Sequence, residues 1–199
     1  MHISLIRLFV ILCLFLGTVD FWFAGKAFHQ QEEYGRWLGF ASAAAGIVTL
    51  SYMCSVYTLN YTLVSAASSV YFAGIDWMLI ALIHFVCSFT EIISGQTVKR
   101  ILLVARSLAL LDSAVMAVNI YREIAVHYVP GYPGGAPYVY MMKPLYIVHL
   151  LFTYILVLAI IIFLARKYLR TPRQYRVPYL QIILAIILIV LINAAFLYA

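Results

Sequence analysis

Asp76 and His84 stand eight residues apart inside an apolar run, with Ile80 midway between them. On a helix this spacing puts them on one loose stripe about two turns long. A carboxylate and an imidazole placed there can hold a ligand or a proton within a bundle. Equally, they can hydrogen-bond to a neighbouring helix and fix the packing. His149 shares a helical face with Tyr146 and Thr153, at spacings of three and four, and Tyr154 follows. That face can line a pocket or cap a hydrogen-bond network near the membrane interface. Asp112 and Asp20 are further carboxylates in apolar runs. Asp20 adjoins Phe21, Trp22 and Phe23, an aromatic cluster suited to the interface, where its carboxylate reaches headgroup water. Asn193 reads as a hydrogen-bonding contact to a neighbouring helix.

Other chemistry is missing from the pattern. There is no HExxH, no paired cysteine ligands, no Gly-rich phosphate loop and no Ser-His-Asp arrangement that spacing supports. Cys13, Cys54 and Cys87 fall in apolar runs without CxxC spacing and read as small hydrophobes. None of the histidines (His2, His29, His84, His127 and His149) stands in a soluble helix where a phosphoacceptor would work. The expectation is a protein without catalytic residues, cofactor or metal.

The elements that must position these groups follow from composition. The chain is 66% hydrophobic and 10% charged, with a mean hydropathy of +1.01. A soluble domain is about half apolar and about a quarter charged. With so little polar surface, the bilayer is the solvent. Six apolar runs reach the roughly 20 residues that a helix needs to cross the hydrocarbon. They lie near Leu5–Phe23, Trp37–Tyr57, Ser69–Phe89, Ile101–Ile120, Leu145–Leu164 and Val177–Leu197. Backbone groups in lipid must be satisfied within the segment, and nothing alternates like a barrel strand. The fold class is therefore all-α, a polytopic transmembrane helix bundle forming a single domain over residues 1–199. The first run, long and without a small-x-small cleavage site, reads as an uncleaved helix.

Cytoplasmic loops carry the excess of Lys and Arg, so the charges between runs set an orientation. The odd loops hold Lys26 and Arg36; Lys99 and Arg100; and the basic turn with Arg166, Lys167, Arg170, Arg173 and Arg176. They total nine, or ten with Arg106, against two (Arg122 and Lys143) in the even loops. Odd loops are thus expected inside and the N-terminus outside, with six crossings returning the C-terminus to the outside. The fourth loop, Tyr121–Tyr140, has Pro-Gly and Gly-Gly steps and five tyrosines. A short hairpin is its expected shape, resting on headgroups or closing over a ligand. Gly39 and Ala43, and Ser65, Ser69 and Ala73, recur four apart and let helices approach closely.

The fifth run opens Lys143-Pro144-Leu145-Tyr146-Ile147-Val148-His149 and continues to Thr153-Tyr154. It leads into Arg166-Lys167-Tyr168-Leu169-Arg170-Thr171-Pro172-Arg173-Gln174-Tyr175-Arg176, then into a run ending Asn193-Ala194-Ala195-Phe196-Leu197-Tyr198. These segments resemble the N-terminal seven-transmembrane region of bacterial sensor histidine kinases, with its aromatic-x-His start, basic turn and late Asn. Tyr71–Trp77 through Phe89-Thr90 is similar to that family's third helix. Thr171 stands where the family usually has Ser, and the late helix lacks the Pro often found before its Asn.

The resemblance implies a multi-pass bacterial plasma-membrane sensor, a seventh helix beyond Ala199 and a cytoplasmic kinase or other output domain there. The expected partners are the bilayer, that output domain, a small-molecule or lipid ligand and a second copy in a homodimer, with no nucleic acid. The expected ligand pocket gathers Asp76, His84, Tyr146, His149 and Tyr154 beneath the Tyr-rich loop. The alternative is a small membrane transporter or channel subunit using the same polar residues as a pathway; the two halves, however, show no repeat of the kind common in transporters.

Overall fold

Each of the first five apolar runs is a single long helix: α1 (His2–Phe28), α2 (Glu33–Tyr57), α3 (Tyr61–Thr90), α4 (Gly95–Arg122) and α5 (Pro144–Arg170). The computed structural model describes residues 2–90, 95–131, 136–177, 179–184 and 186–188. All five helices contain stretches long and apolar enough to cross a membrane. Of the sixth run, the described residues include a shorter apolar helix, Tyr179–Leu188. Asn193 lies outside the described residues. Large apolar side chains such as Leu103, Leu111, Leu151 and Ile155 point outward and are exposed, as lipid-facing positions are.

α3 begins about two turns before the expected Ser69. The reason is a cap: the Asn60 side chain accepts the Leu63 amide at 3.1 Å, and its carbonyl accepts the Val64 amide at 2.9 Å. The connection from α2 shrinks to Thr58–Asn60. α3 is the central helix, packing against α2, α4 and α5, while α1 packs on α2. In α3, 44% of the apolar window is buried, against 17 to 22% in the other four. Its buried positions Ser65, Ser69, Phe72, Asp76, Ile80, Ile83, Cys87 and Thr90 repeat at three or four. The small residues permit this closeness. A Cβ on Gly74 would sit 2.8 Å from Val48 of α2, and one on Gly39 would sit 2.9 Å from Phe28 of α1.

The fourth loop is a two-stranded antiparallel hairpin, β1 (Val126–Pro130) and β2 (Tyr138–Met142), with Tyr128 opposite Tyr140. Asn119 holds its root. The Asn119 side-chain oxygen accepts the backbone amides of Ala125 at 2.7 Å and Val126 at 2.9 Å, both residues being fully buried. Glu123, at φ 48°, turns the chain out of α4; its carboxylate accepts the Tyr61 hydroxyl and pairs with His127 Nδ1. Burial pushes the Tyr128 phenol up to about 12, so that hydroxyl stays protonated around neutral pH.

The interior divides into two apolar clusters. Toward the hairpin, Val64, Phe72, Met116, Ala125, Val126, Tyr128 and Tyr146 pack together. Toward the basic turn, Leu79, Ile83, Val86, Leu102, Ala105, Ala109, Leu156, Ile160 and Leu164 form the second.

Candidate functional site

Between these two clusters α3, α4 and α5 each place one ionisable residue. On α3, Asp76 falls between Phe72 and Leu79 of the buried stripe. On α4, the inward positions Leu102, Ala105, Ala109, Met116 and Asn119 have Asp112 in the same three-four rhythm. On α5, Tyr146, His149, Leu156, Ile160 and Leu164 face in, with Thr153 between His149 and Leu156. The local sequence thus delivers each polar group to a helix seam, and the three seams meet.

His149 Nδ1 lies 2.8 Å from Asp112 Oδ2 and 3.7 Å from Asp76 Oδ2. One donor atom from each of the three residues falls within 4.8 Å of the others. Asp76 is 0% and His149 2% exposed, so no bulk water solvates the contact. Thr153 Oγ1 is 3.2 Å from Asp76 Oδ1 and 3.0 Å from its own helix's carbonyl at His149, so one hydroxyl proton is shared between two acceptors. Asp76 Oδ2 accepts no hydrogen bond. The imidazole is walled by Phe72, at 5.4 Å between ring centres, and by Tyr146, at 5.7 Å. One residue further along α3 and α4, Trp77 Nε1 donates to Ser113 Oγ at 3.1 Å and holds the two aspartate-bearing helices in register.

Asp76, Tyr146 and His149 therefore come together as a group. Tyr154 is half-buried on α5, next to Thr153. His84 is placed elsewhere, two turns along α3, between α2 and α4. Its ring stacks on Trp37, with centres 3.7 Å apart and planes within 17°. Arg106 Nη2 donates to His84 Nε2 at 2.7 Å, and its guanidinium lies over Trp37. Asp112 is the residue that local spacing alone did not join to the others. The three-four seam of α4 is the sequence signal that points it inward.

At the other end of the bundle, Lys167 Nζ donates to the Thr90 carbonyl at 2.9 Å, capping the C-terminus of α3. Arg176 Nε donates to the Thr171 carbonyl at 2.7 Å and stacks over Tyr168, closing the basic turn. Arg166, Arg170 and Arg173 point outward. Thr90, Lys167, Arg170, Thr171, Pro172, Tyr175 and Tyr179 border an open cavity of about 520 Å³. Its lining residues sit at the C-terminus of α3 and the basic turn, 14 positions along α3 from Asp76.

With helices, hairpin, buried seam and basic turn in place, the chain can be set beside known proteins. The family model described as the N-terminal 7TM region of histidine kinase matches residues 5–199. The chain belongs to this family. Searches of curated proteins and of solved structures give no match. In histidine-kinase 7TM terms, the five long helices are the bulk of a membrane-embedded sensor input region, and the polar layer sits inside it. The fifth helix, which carries His149, and the basic turn, both part of the sequence resemblance, lie within the matched span.

Proposed function

We propose that this chain is the sensory input region of a bacterial membrane signal-transduction protein, passing its signal to a cytoplasmic output domain outside these 199 residues. Membership of the histidine-kinase 7TM family supports the class. The observation that carries the mechanism is the three-helix contact of Asp76, Asp112 and His149 between two apolar clusters. Apolar packing tolerates small slides of one helix past another, but a buried polar contact made by three helices has few satisfactory geometries. A stimulus that favours one of them shifts the bundle by its differential affinity. α3 transmits that shift because it touches α2, α4 and α5, and because Lys167 ties its end to the basic turn.

The test is output from the protein carrying its signalling domain, with Asp76→Asn and His149→Gln compared with the unsubstituted chain. The expected result is a change in basal or stimulated output of about fivefold or more, the lower end of ordinary allosteric coupling. Unchanged output from both variants at equal membrane abundance would sink the proposal.

A further inference from the structure

We infer that Asp76, Asp112 and His149 form a binding site for a divalent transition-metal ion of the Zn2+ type. Two carboxylates and an imidazole from three helices converge with donor atoms inside a 4.8 Å circle. A tetrahedral ion with bonds of about 2.0–2.2 Å sets its donors roughly 3.3 Å apart. The two His149–carboxylate separations, 2.8 and 3.7 Å, bracket that spacing. The donor atoms of the two carboxylates lie within 4.8 Å of each other, so modest side-chain adjustments bring the three donors to it. The donor chemistry chooses among ions. Imidazole with carboxylate suits first-row transition metals, whereas Ca2+ requires six to eight oxygens and Mg2+ keeps most of its water.

A second observation points to a ligand. Asp76 Oδ2 is completely buried, lies 3.7 Å from the imidazole Nδ1 and has no N–H or hydroxyl donor. Thr153 supplies one to Oδ1, and the Asp112 carboxyl is a hydrogen-bonding neighbour of the Asp76 carboxyl. An orphaned carboxylate oxygen inside lipid-spanning helices is costly. A dication balances two carboxylates, with the neutral imidazole as third donor, so the complex carries no net charge into the low-dielectric layer. Thr153 then orients the Asp76 carboxylate, as outer hydrogen bonds do at metal centres. Asp112, the least buried of the three, is the side of entry. A proton held between the two carboxyl groups is the competing occupant of the same gap. Metal binding is measured directly and does not depend on the sensor reading: a chain that takes up metal without signalling retains this inference and loses the other.

The experiment uses the full chain in lipid nanodiscs, stripped with a chelator and titrated with Co2+ and Zn2+. We expect about one ion per chain and visible Co2+ absorption of a nitrogen–oxygen ligand set, bleached by Zn2+. Asp112→Asn and His149→Gln should weaken binding by more than about 100-fold, and Thr153→Val by about 10- to 100-fold, while His84→Gln leaves it unchanged. Helical circular dichroism checks that each variant is folded, and the Co2+ spectrum of the unsubstituted chain needs no variant. Absence of that spectrum, uptake equal in Asp112→Asn, or equal competition by Mg2+ overturns the site and leaves the proton as occupant.

Discussion

At the scale of single residues, the bundle depends on polar side chains that each satisfy more than one partner. Asn119 shows this best, with one oxygen accepting two fully buried backbone amides at the root of the hairpin. Asn119→Ala leaves two donors without partners, each worth on the order of 1–3 kcal/mol. Thermal unfolding in detergent should therefore show a clear loss of stability, with the hairpin amides exchanging faster with deuterium. Unaltered stability and protection would mean that another acceptor replaces Asn119. Residue types alone singled out Asp76 and His149, because an ionisable group in an apolar run stands out whatever its neighbours. They did not reveal that Asp112 is the partner. Spacing tells which side chains share one helix face, but the meeting of faces on α3, α4 and α5 is decided by contacts 37 and more positions apart in the chain. His84 illustrates the converse. It shares a stripe with Asp76 on paper, yet two turns of helix carry it to Trp37 and Arg106.

At the scale of elements, the long helices were legible from hydropathy because the solvent imposes length and composition on them. Their ends were less so, since a cap such as Asn60 needs only one well-placed side chain and leaves no mark on hydropathy. The turn-rich fourth loop announced a hairpin through its Pro and Gly steps, though not the register that sets Tyr128 against Tyr140. Close approach of α2 and α3 is a property that a matched pair of glycines can test. Gly74→Ala drives a methyl to 2.8 Å from Val48 and should cost about 1–3 kcal/mol, as overpacking does. Gly25→Ala, in α1 with nothing within 4 Å, should be neutral or stabilising by up to about 1 kcal/mol. Thermal midpoints of the two variants in the same detergent decide it. Equal effects would show that the α2–α3 contact is looser than its geometry.

For the whole molecule, orientation rests on charge alone, and it decides what kind of stimulus can reach the polar layer. Five cations in the basic turn stand at one end of the bundle, and the hairpin loop with Arg122 and Lys143 at the other. If positive charge is retained in the cytoplasm, the hairpin and the Asn60 connection are expected outside. In that orientation the Asp76 layer would lie beneath the apolar cluster on the hairpin side, with α3 running from it to the Lys167 cap on the cytoplasmic side. That expected arrangement would suit the proposed relay from an outer event to an inner domain, and it is testable without knowing the stimulus. In a background with Cys13, Cys54 and Cys87 replaced by Ala, Met141→Cys marks the exposed edge of β2 and Gln174→Cys the basic turn. A membrane-impermeant maleimide added to intact cells should label the first at once and the second only after permeabilisation. The opposite pattern would invert the bundle, and the Tyr-rich hairpin would then face the cytoplasm as the surface nearest any output domain.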